Sequence, residues 1–376
     1  MKRTGLMFVL TSDARGGVEE VVLALLRRLD PDVFRLSLAA PRRLLDALAP
    51  DLTTVAVDTL AVQADGWSHR SALGPLGAFM ARVRPDIVNP HLFRSTAFAA
   101  PLAKWHGARV VETYHGREGW RQGPFLPDRV ISGFVDRVIA VSEAARAFLI
   151  SGKGYAASKI VVVPNGRDLS VFRPGTGRHR ARRGLGLDIA SPVVGVIGRL
   201  EPQKGHAYLL EAWPAVTREF PGAQLLVVGD GSLRAVLERR ARDLQVGANV
   251  TFAGYRSDMP LVLDAVDIVA LPSIYEGMPL SAIEASAMAR PVVATCVDGT
   301  PEVIRDGRTG RLVPARDTAA LGRALLGLLR DPEGAQRMGR AGRDYVLHRF
   351  DLDTQVQATA RVYRGLVGAE ERRMAA

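Results

Sequence analysis

Ile268-Val269-Ala270-Leu271-Pro272-Ser273-Ile274-Tyr275-Glu276-Gly277-Met278-Pro279-Leu280-Ser281-Ala282-Ile283-Glu284-Ala285 holds in one segment the unit that recurs along the chain. The apolar run Ile268–Leu271 that opens it reads as a strand buried on both faces. A loop with Gly and Pro follows, and then a helical pattern. Gly277 permits close backbone approach, and Pro279 suits the first turn of a helix. Such a helix start aims unpaired N–H groups at a phosphate. Glu276, just before the helix, can bind sugar hydroxyls. Glu284, one to two turns in, suits the paired hydroxyls of a ribose. Two glutamates eight residues apart arise by chance in a chain this long, so the weight lies on the whole string after a buried strand.

The same alternation extends in both directions. Upstream, strands are expected at Leu6–Leu10, Phe34–Ala39, Arg109–Tyr114, Arg137–Val141 and Ile160–Val163. Further strands are expected at Pro192–Ile197, Gln224–Val228, Val250–Phe252 and Pro291–Ala294. Buried strands alternating with amphipathic helices make an α/β protein with parallel sheets. The Gly-, Arg- and Pro-rich stretch from Phe172 to Gly184 reads as an interdomain connection. Two Rossmann-like, doubly wound domains are expected, at residues 1–175 and 185–350, facing each other across a cleft. Ligands in such sheets bind beyond the carboxyl ends of the strands. Helical spacing at Val356, Ala360, Tyr363 and Leu366 marks a tail helix over about 351–376.

The 376 residues, 47% hydrophobic and 24% charged, exclude disordered and collagen-like classes. A formal charge of +11 favours anionic partners such as nucleic acid, anionic lipid or phosphorylated substrates. One cysteine, Cys296, excludes an internal disulfide and a multi-cysteine zinc site. The apolar start, Leu6–Leu10, is too short for a signal peptide, and no run approaches a membrane span. The expected location is cytoplasmic, with peripheral contact to the inner face of the cell membrane as an open possibility.

Three further places carry candidate chemistry. Gly16 and Gly17 open a helix after the first strand, where backbone N–H groups can approach a phosphate; an ordinary capped loop has the same residues. His115 follows a strand and precedes Gly116, so it can project toward a ligand, although a lone histidine is commonly structural. His69, His91, His106 and His206 have no comparable context and read as structural. Arg199 and Lys204 flank a proline turn after the strand ending at Ile197. Arg supplies a planar fork and Lys a mobile point charge, which together can neutralise a diphosphate; a solvated basic loop is the alternative.

Taken in order, these landmarks resemble the retaining glycosyltransferases of family 4 (glycosyl transferases group 1), which have the GT-B fold and an E-x7-E signature. Glu276 and Glu284 fall on that signature. Gly16-Gly17-Val18-Glu19 is similar to its N-terminal glycine motif, and His115 falls at its active-site histidine. Val141-Ser142-Glu143-Ala144, Pro164-Asn165-Gly166, Gly198-Arg199-Leu200 with Lys204-Gly205, Gly229-Asp230-Gly231 and Asp298-Gly299-Thr300-Pro301-Glu302 resemble further motifs. The resemblance spans roughly residues 5 to 350. Asp298 departs from it, standing where the family commonly has glycine.

The resemblance implies a UDP- or GDP-linked sugar as donor and a saccharide or lipid-linked acceptor in cell-envelope polysaccharide, lipopolysaccharide or glycolipid synthesis. It implies that Arg199 and Lys204 bind the diphosphate, that Glu276 and the backbone of the segment Gly277, Met278, Pro279 and Leu280, through those N–H groups it has, hold the sugar, and that Glu284 holds the ribose. Gly198 lies in the clamp, and the base meets backbone near Tyr255 and Arg256. His115, Gly16 and Gly17 approach the transferred sugar and diphosphate. No metal or other cofactor is implied, the anomeric configuration is retained, and the tail helix returns to the first domain. The acceptor is read from the basic first half, where Arg27, Arg28, Arg42, Arg43, Arg82, Arg84 and Arg94 neighbour Trp67, Leu73, Leu76 and Phe79. Ser71–Val83 is either an amphipathic helix for an anionic membrane or a core helix with a basic face.

Two other classes compete. A nucleotide-sugar epimerase or a phosphorylase shares facing domains but needs different catalytic residues. A non-catalytic polyanion binder explains the charge but not glutamates beside a glycine and a helix start. No aromatic series interleaves with the basic residues, which argues against nucleic acid.

Overall fold

The computed structural model describes residues 3–63, 70–116, 126–175 and 177–374; Trp67, His69 and the last two residues of the expected tail helix lie outside these. The chain divides into two compact units, Met1–Gly166 with Leu352–Ala376, and Arg167–Asp351.

The first unit contains strands β1 (Thr4–Val9), β2 (Phe34–Pro41), β3 (Val57–Val62), β4 (Ile87–Pro90), β5 (Arg109–Tyr114), β6 (Arg137–Ala140) and β7 (Ile160–Val162). They form a parallel sheet in the order β3-β2-β1-β4-β5-β6-β7. The strand order reverses between β1 and β4, which makes their carboxyl ends the ligand-binding position of this topology. The strands inside the sheet bury both faces, while the edge strands β3 and β7 are part-exposed. Met7, Val9, Val88, Val110 and Val138 meet helix residues Leu76, Met80 and Leu149 in one core.

The helix Arg70–Val83 is part of that core: Ala72, Leu76, Phe79, Met80 and Val83 are buried, while Leu73 is exposed. Among the described residues no helix is long and apolar enough to cross a membrane. The terminal helix Leu352–Met374 packs on the helix Gly17–Arg28 of this unit.

The second unit contains β8 (Val193–Ile197), β9 (Gln224–Val228), β10 (Val250–Gly254), β11 (Ile268–Leu271), β12 (Val292–Thr295) and β13 (Gly310–Val313), in the parallel order β10-β9-β8-β11-β12-β13. Here the order reverses between β8 and β11. Val194, Val196, Leu225, Ile268 and Val293 pack with Leu209, Trp213 and Leu325 from the flanking helices. Carboxylate caps start two of these helices: Asp317 accepts from Ala320 N–H, and Asp331 accepts from Gly334 N–H.

The division falls between Gly166 and Arg167, a few residues before the stretch Phe172–Gly184 that the sequence reads as the connection. The basic stretch expected to link two domains instead includes the helix Arg178–Gly184, which belongs to the second unit. Arg182 is fully buried there. Its guanidinium donates to the carbonyls of Ala265 (2.8 Å), Ile189 (2.7 Å) and Ser191 (2.8 Å) and to Asp267 Oδ2 (2.7 Å). Desolvation lowers its pKa, opposed by the Asp267 charge. The sequence analysis gave this arginine no role of its own; its five-donor fork makes it an anchor.

Candidate functional site

In the second unit the site grows from the neighbouring carboxyl ends of β8 and β11, which pair through Ile268–Val194, Val269–Gly195 and Ala270–Val196. The chain leaves β8 through Gly198, Arg199 and Leu200 and makes a short turn, Pro202–Lys204. It then enters the helix His206–Glu219 at Gly205. Gly205 has φ +65°, and a Cβ there would lie 2.0 Å from the Pro272 carbonyl oxygen. Only glycine allows that left-handed turn to press against the loop leaving β11. Two hydrogen bonds join the loops: Ile274 N–H to Gln203 O (2.8 Å) and Gln203 Nε2 to Tyr275 O (3.1 Å).

This contact brings Lys204 to Glu276. Their side chains meet at 2.6 Å between Nζ and Oε1, and both are largely buried. Ser273 Oγ donates to the same carboxylate oxygen at 2.7 Å. Arg199 is exposed at the mouth of the loop, its guanidinium 3.4 Å from Gln203 Oε1. The helix Leu280–Ala287 begins after Gly277, Met278 and Pro279; Pro279 is its N-cap, one position earlier than a first-turn proline, and no side chain caps it. Its first N–H groups are thus not taken by a side-chain cap. Glu284 is buried on this helix and pairs with Arg167, Nε to Oε1 at 2.6 Å. Tyr255, 63% exposed, follows β10, and Arg256 makes a two-toothed ion pair with Asp258 (2.8 and 2.6 Å).

Asp298 gives a reason for its departure from glycine. Its φ is +41°, in the left-handed region that disfavours side chains, although aspartate tolerates it better than most. Its Oδ2 accepts the Glu276 backbone N–H at 2.9 Å. The carboxylate therefore holds the glutamate's backbone, which a glycine could not do.

In the first unit, Gly16 is the N-cap of the helix Gly17–Arg28, with extended backbone and no side-chain cap. Arg15 beside it is held by Glu20 and Asp51, each at 2.5 Å. His115 extends from β5, and His91 follows β4, bridged to Thr113. The two imidazoles meet, His91 Nδ1 to His115 Nε2 at 2.8 Å, with ring centroids 5.0 Å apart. Burial lowers the pKa of His115 to about 3, and that of His91 well below its usual value through burial and then the neighbouring ring. His115 keeps some exposure, so solvent moderates its shift; both rings are neutral at pH 7.

The motif reading named the pair Lys204 and Glu276. It assigned no role to Ser273, Arg167, Asn89, His91 or Tyr363, which surround the named residues. The clue for His91 was positional: a histidine at the end of Ile87-Val88-Asn89-Pro90, whose strand lies beside that of His115. Among the described residues no group of three or more His, Cys, Asp or Glu is placed to hold a metal ion.

Two family models match the chain: Glycosyltransferase Family 4 over residues 15–171, and Glycosyl transferases group 1 over residues 191–331. A GDP-mannose-dependent alpha-(1-6)-phosphatidylinositol monomannoside mannosyltransferase of Mycolicibacterium smegmatis is 35% identical over 295 residues, 74% of this chain and 75% of that protein. A D-inositol 3-phosphate glycosyltransferase of Segniliparus rotundus is 38% identical over 237 residues, 61% of this chain and 52% of that protein. Anabaena HepE, solved with UDP and glucose, superposes with a TM-score of 0.84 at 22% identity, covering 96% of this chain and 100% of that one.

Proposed function

The chain belongs to the family 4, group 1 glycosyltransferases and has their GT-B fold, and from that premise we propose that it moves a sugar, with retention of anomeric configuration, from a nucleotide diphosphate sugar to a saccharide or lipid-linked acceptor of the cell envelope. The observation that carries this reading is the Lys204–Glu276 pair at the β8/β11 switch point, with Arg199 on the same loop. A diphosphate departing from an anomeric carbon gains negative charge. Lys204 and Arg199 answer that charge directly, without a metal or other cofactor. Glu276, once Lys204 turns to phosphate, is free to accept from sugar hydroxyls. The start of the helix Leu280–Ala287 offers N–H groups to the same anion. Glu284 binds the ribose, and the base lies near Tyr255 and Arg256. In the first unit His115 bonds a substrate hydroxyl, and Gly16 and Gly17 present backbone N–H groups.

The acceptor class rests on what the relatives' names say, an inositol lipid and an inositol phosphate, and on the +11 charge of this chain. Both are anionic, which a basic protein attracts. On this reading the enzyme works in the cytoplasm and meets anionic membrane through surface charge.

A panel of GDP-mannose, UDP-glucose, UDP-N-acetylglucosamine and ADP-glucose tests the donor. The true donor raises Tm most and slowly releases free nucleoside diphosphate. An epimerised sugar, or stabilisation by none of the four together with no release, overturns the reading. Flotation with anionic vesicles at low salt tests the membrane component; no binding removes it.

A further inference from the structure

Asn89, His91, His115 and Tyr363 form a hydrogen-bonded chain inside the first unit, and its polarity can be worked out atom by atom. Asn89 Nδ2 approaches the carbonyl oxygen of Val111, which can only accept. That contact fixes the amide's orientation, so Oδ1 faces the other way. Oδ1 meets Tyr363 Oη at 2.6 Å and His91 Nε2 at 3.2 Å. Thr113 Oγ1 also lies 3.3 Å from Oδ1, but an amide oxygen presents only lone pairs, and a lone pair facing it would be repelled, so Tyr363 donates and His91 carries its proton on Nε2. His91 is fully buried and, among the described residues, no carboxylate belongs to this hydrogen-bonded group, so its ring is neutral and Nδ1 is a lone pair. His115 Nε2, 2.8 Å from that lone pair, must then be the donor. The remaining nitrogen of His115, Nδ1, is left as an acceptor.

We propose that His91 is a positioning residue that, through Asn89 and the terminal helix's Tyr363, holds His115 in the Nε2–H tautomer and so makes it an acceptor for a hydroxyl of the sugar substrate. The proposal rests on the reading above that His115 meets that substrate. Were His91 cationic, both its nitrogens would donate, and His115 would have to present an N–H instead. Tyr363 is fully buried with its ring edge-on to Phe34 at 6.1 Å, so the last donor in the chain is fixed by packing. The terminal helix thereby reaches the ends of β4 and β5 as well as the core.

The test uses the full chain labelled with 15N-histidine, because two-bond proton–nitrogen correlations distinguish the two tautomers. Wild-type His115 is expected to read as Nε2–H at pH 7.5. His91→Leu removes the acceptor and is expected to give a mixture of tautomers. It should also lower kcat for nucleoside diphosphate release from GDP-mannose or UDP-glucose by about tenfold, with little change in KM. His91→Gln can still donate to Asn89 and accept from His115, so it should keep the tautomer and recover most of kcat. This variant and the wild-type spectrum decide the matter even if His91→Leu does not fold. An Nδ1–H wild-type His115, or a His91→Leu spectrum and kcat equal to wild type, overturns the proposal. A locked tautomer in a wild type that turns over no nucleotide sugar overturns the transferase reading, and with it the positioning role, while the spectrum shows which of the two failed.

Discussion

Lys204 Nζ lies 2.6 Å from Glu276 Oε1, so the cation assigned to the diphosphate and the anion assigned to the sugar neutralise each other. Seventy-two residues separate them, and only the adjacency of β8 and β11 brings them together. On the proposed reading, each side chain exchanges its partner for a substrate group. The pair keeps two charges satisfied in a largely buried place until that exchange occurs.

Lys204→Ala and Glu276→Ala are each expected to reduce turnover of the preferred nucleotide sugar by about a hundredfold or more, since each loses a contact that strengthens in the transition state. The double variant should fall well short of the product of the two effects, because the residues act on one another. Steady-state kinetics measure this, with circular dichroism showing that the fold survives. Near-normal turnover in both single variants would end the site assignment.

Asp298→Gly relieves the left-handed backbone but removes the bond to Glu276 N–H. These opposite effects are each about 1 kcal/mol, so overall stability should change little while the donor KM rises. Asp298→Ala loses the bond and keeps the strain, so it should be the less stable of the two. Chemical denaturation and donor titration compare them.

Arg182→Met leaves Asp267 without one of its two arginines and four carbonyl contacts without a donor. Removing one member of a buried ionic group costs about 3 kcal/mol or more. Urea unfolding should show the loss as a lower midpoint, read by a probe in the unit Arg167–Asp351 such as Trp213.

The pKa values of His91, His115 and His206 are all lowered in the folded protein, the last to about 4 by burial and then by Lys204. A lowered folded value means that the unfolded chain binds more protons. Stability from these groups is complete above about pH 6.5, the ordinary histidine value, and drains as pH falls toward 4. Tm measured from pH 8 to pH 4.5 should be level at first and then decline. In His206→Leu, which lacks one of these groups, the decline should be shallower.

Prolonged treatment with EDTA should leave nucleoside diphosphate release unchanged, because on the proposed reading Arg199 and Lys204 carry the charge of the leaving group. A tenfold loss restored by magnesium or manganese would show that the two cations are not enough.

Residues alone determined the α/β class, the parallel sheets and the principal motif loops. Those signals are local: a buried strand needs a run such as Ile268–Leu271, and a loop that turns tightly into a helix needs Gly or Pro nearby. Only tertiary structure decided β3, β4 and β13, whose short or part-exposed segments become strands by pairing with neighbours far away in sequence. It also decided that Arg182 is an anchor, that Asp298 holds Glu276, and that His91 lies beside His115. Hydrogen bonds and burial depend on which strands are adjacent, and adjacency in a doubly wound sheet follows from how the crossovers pack, a property that no single segment carries.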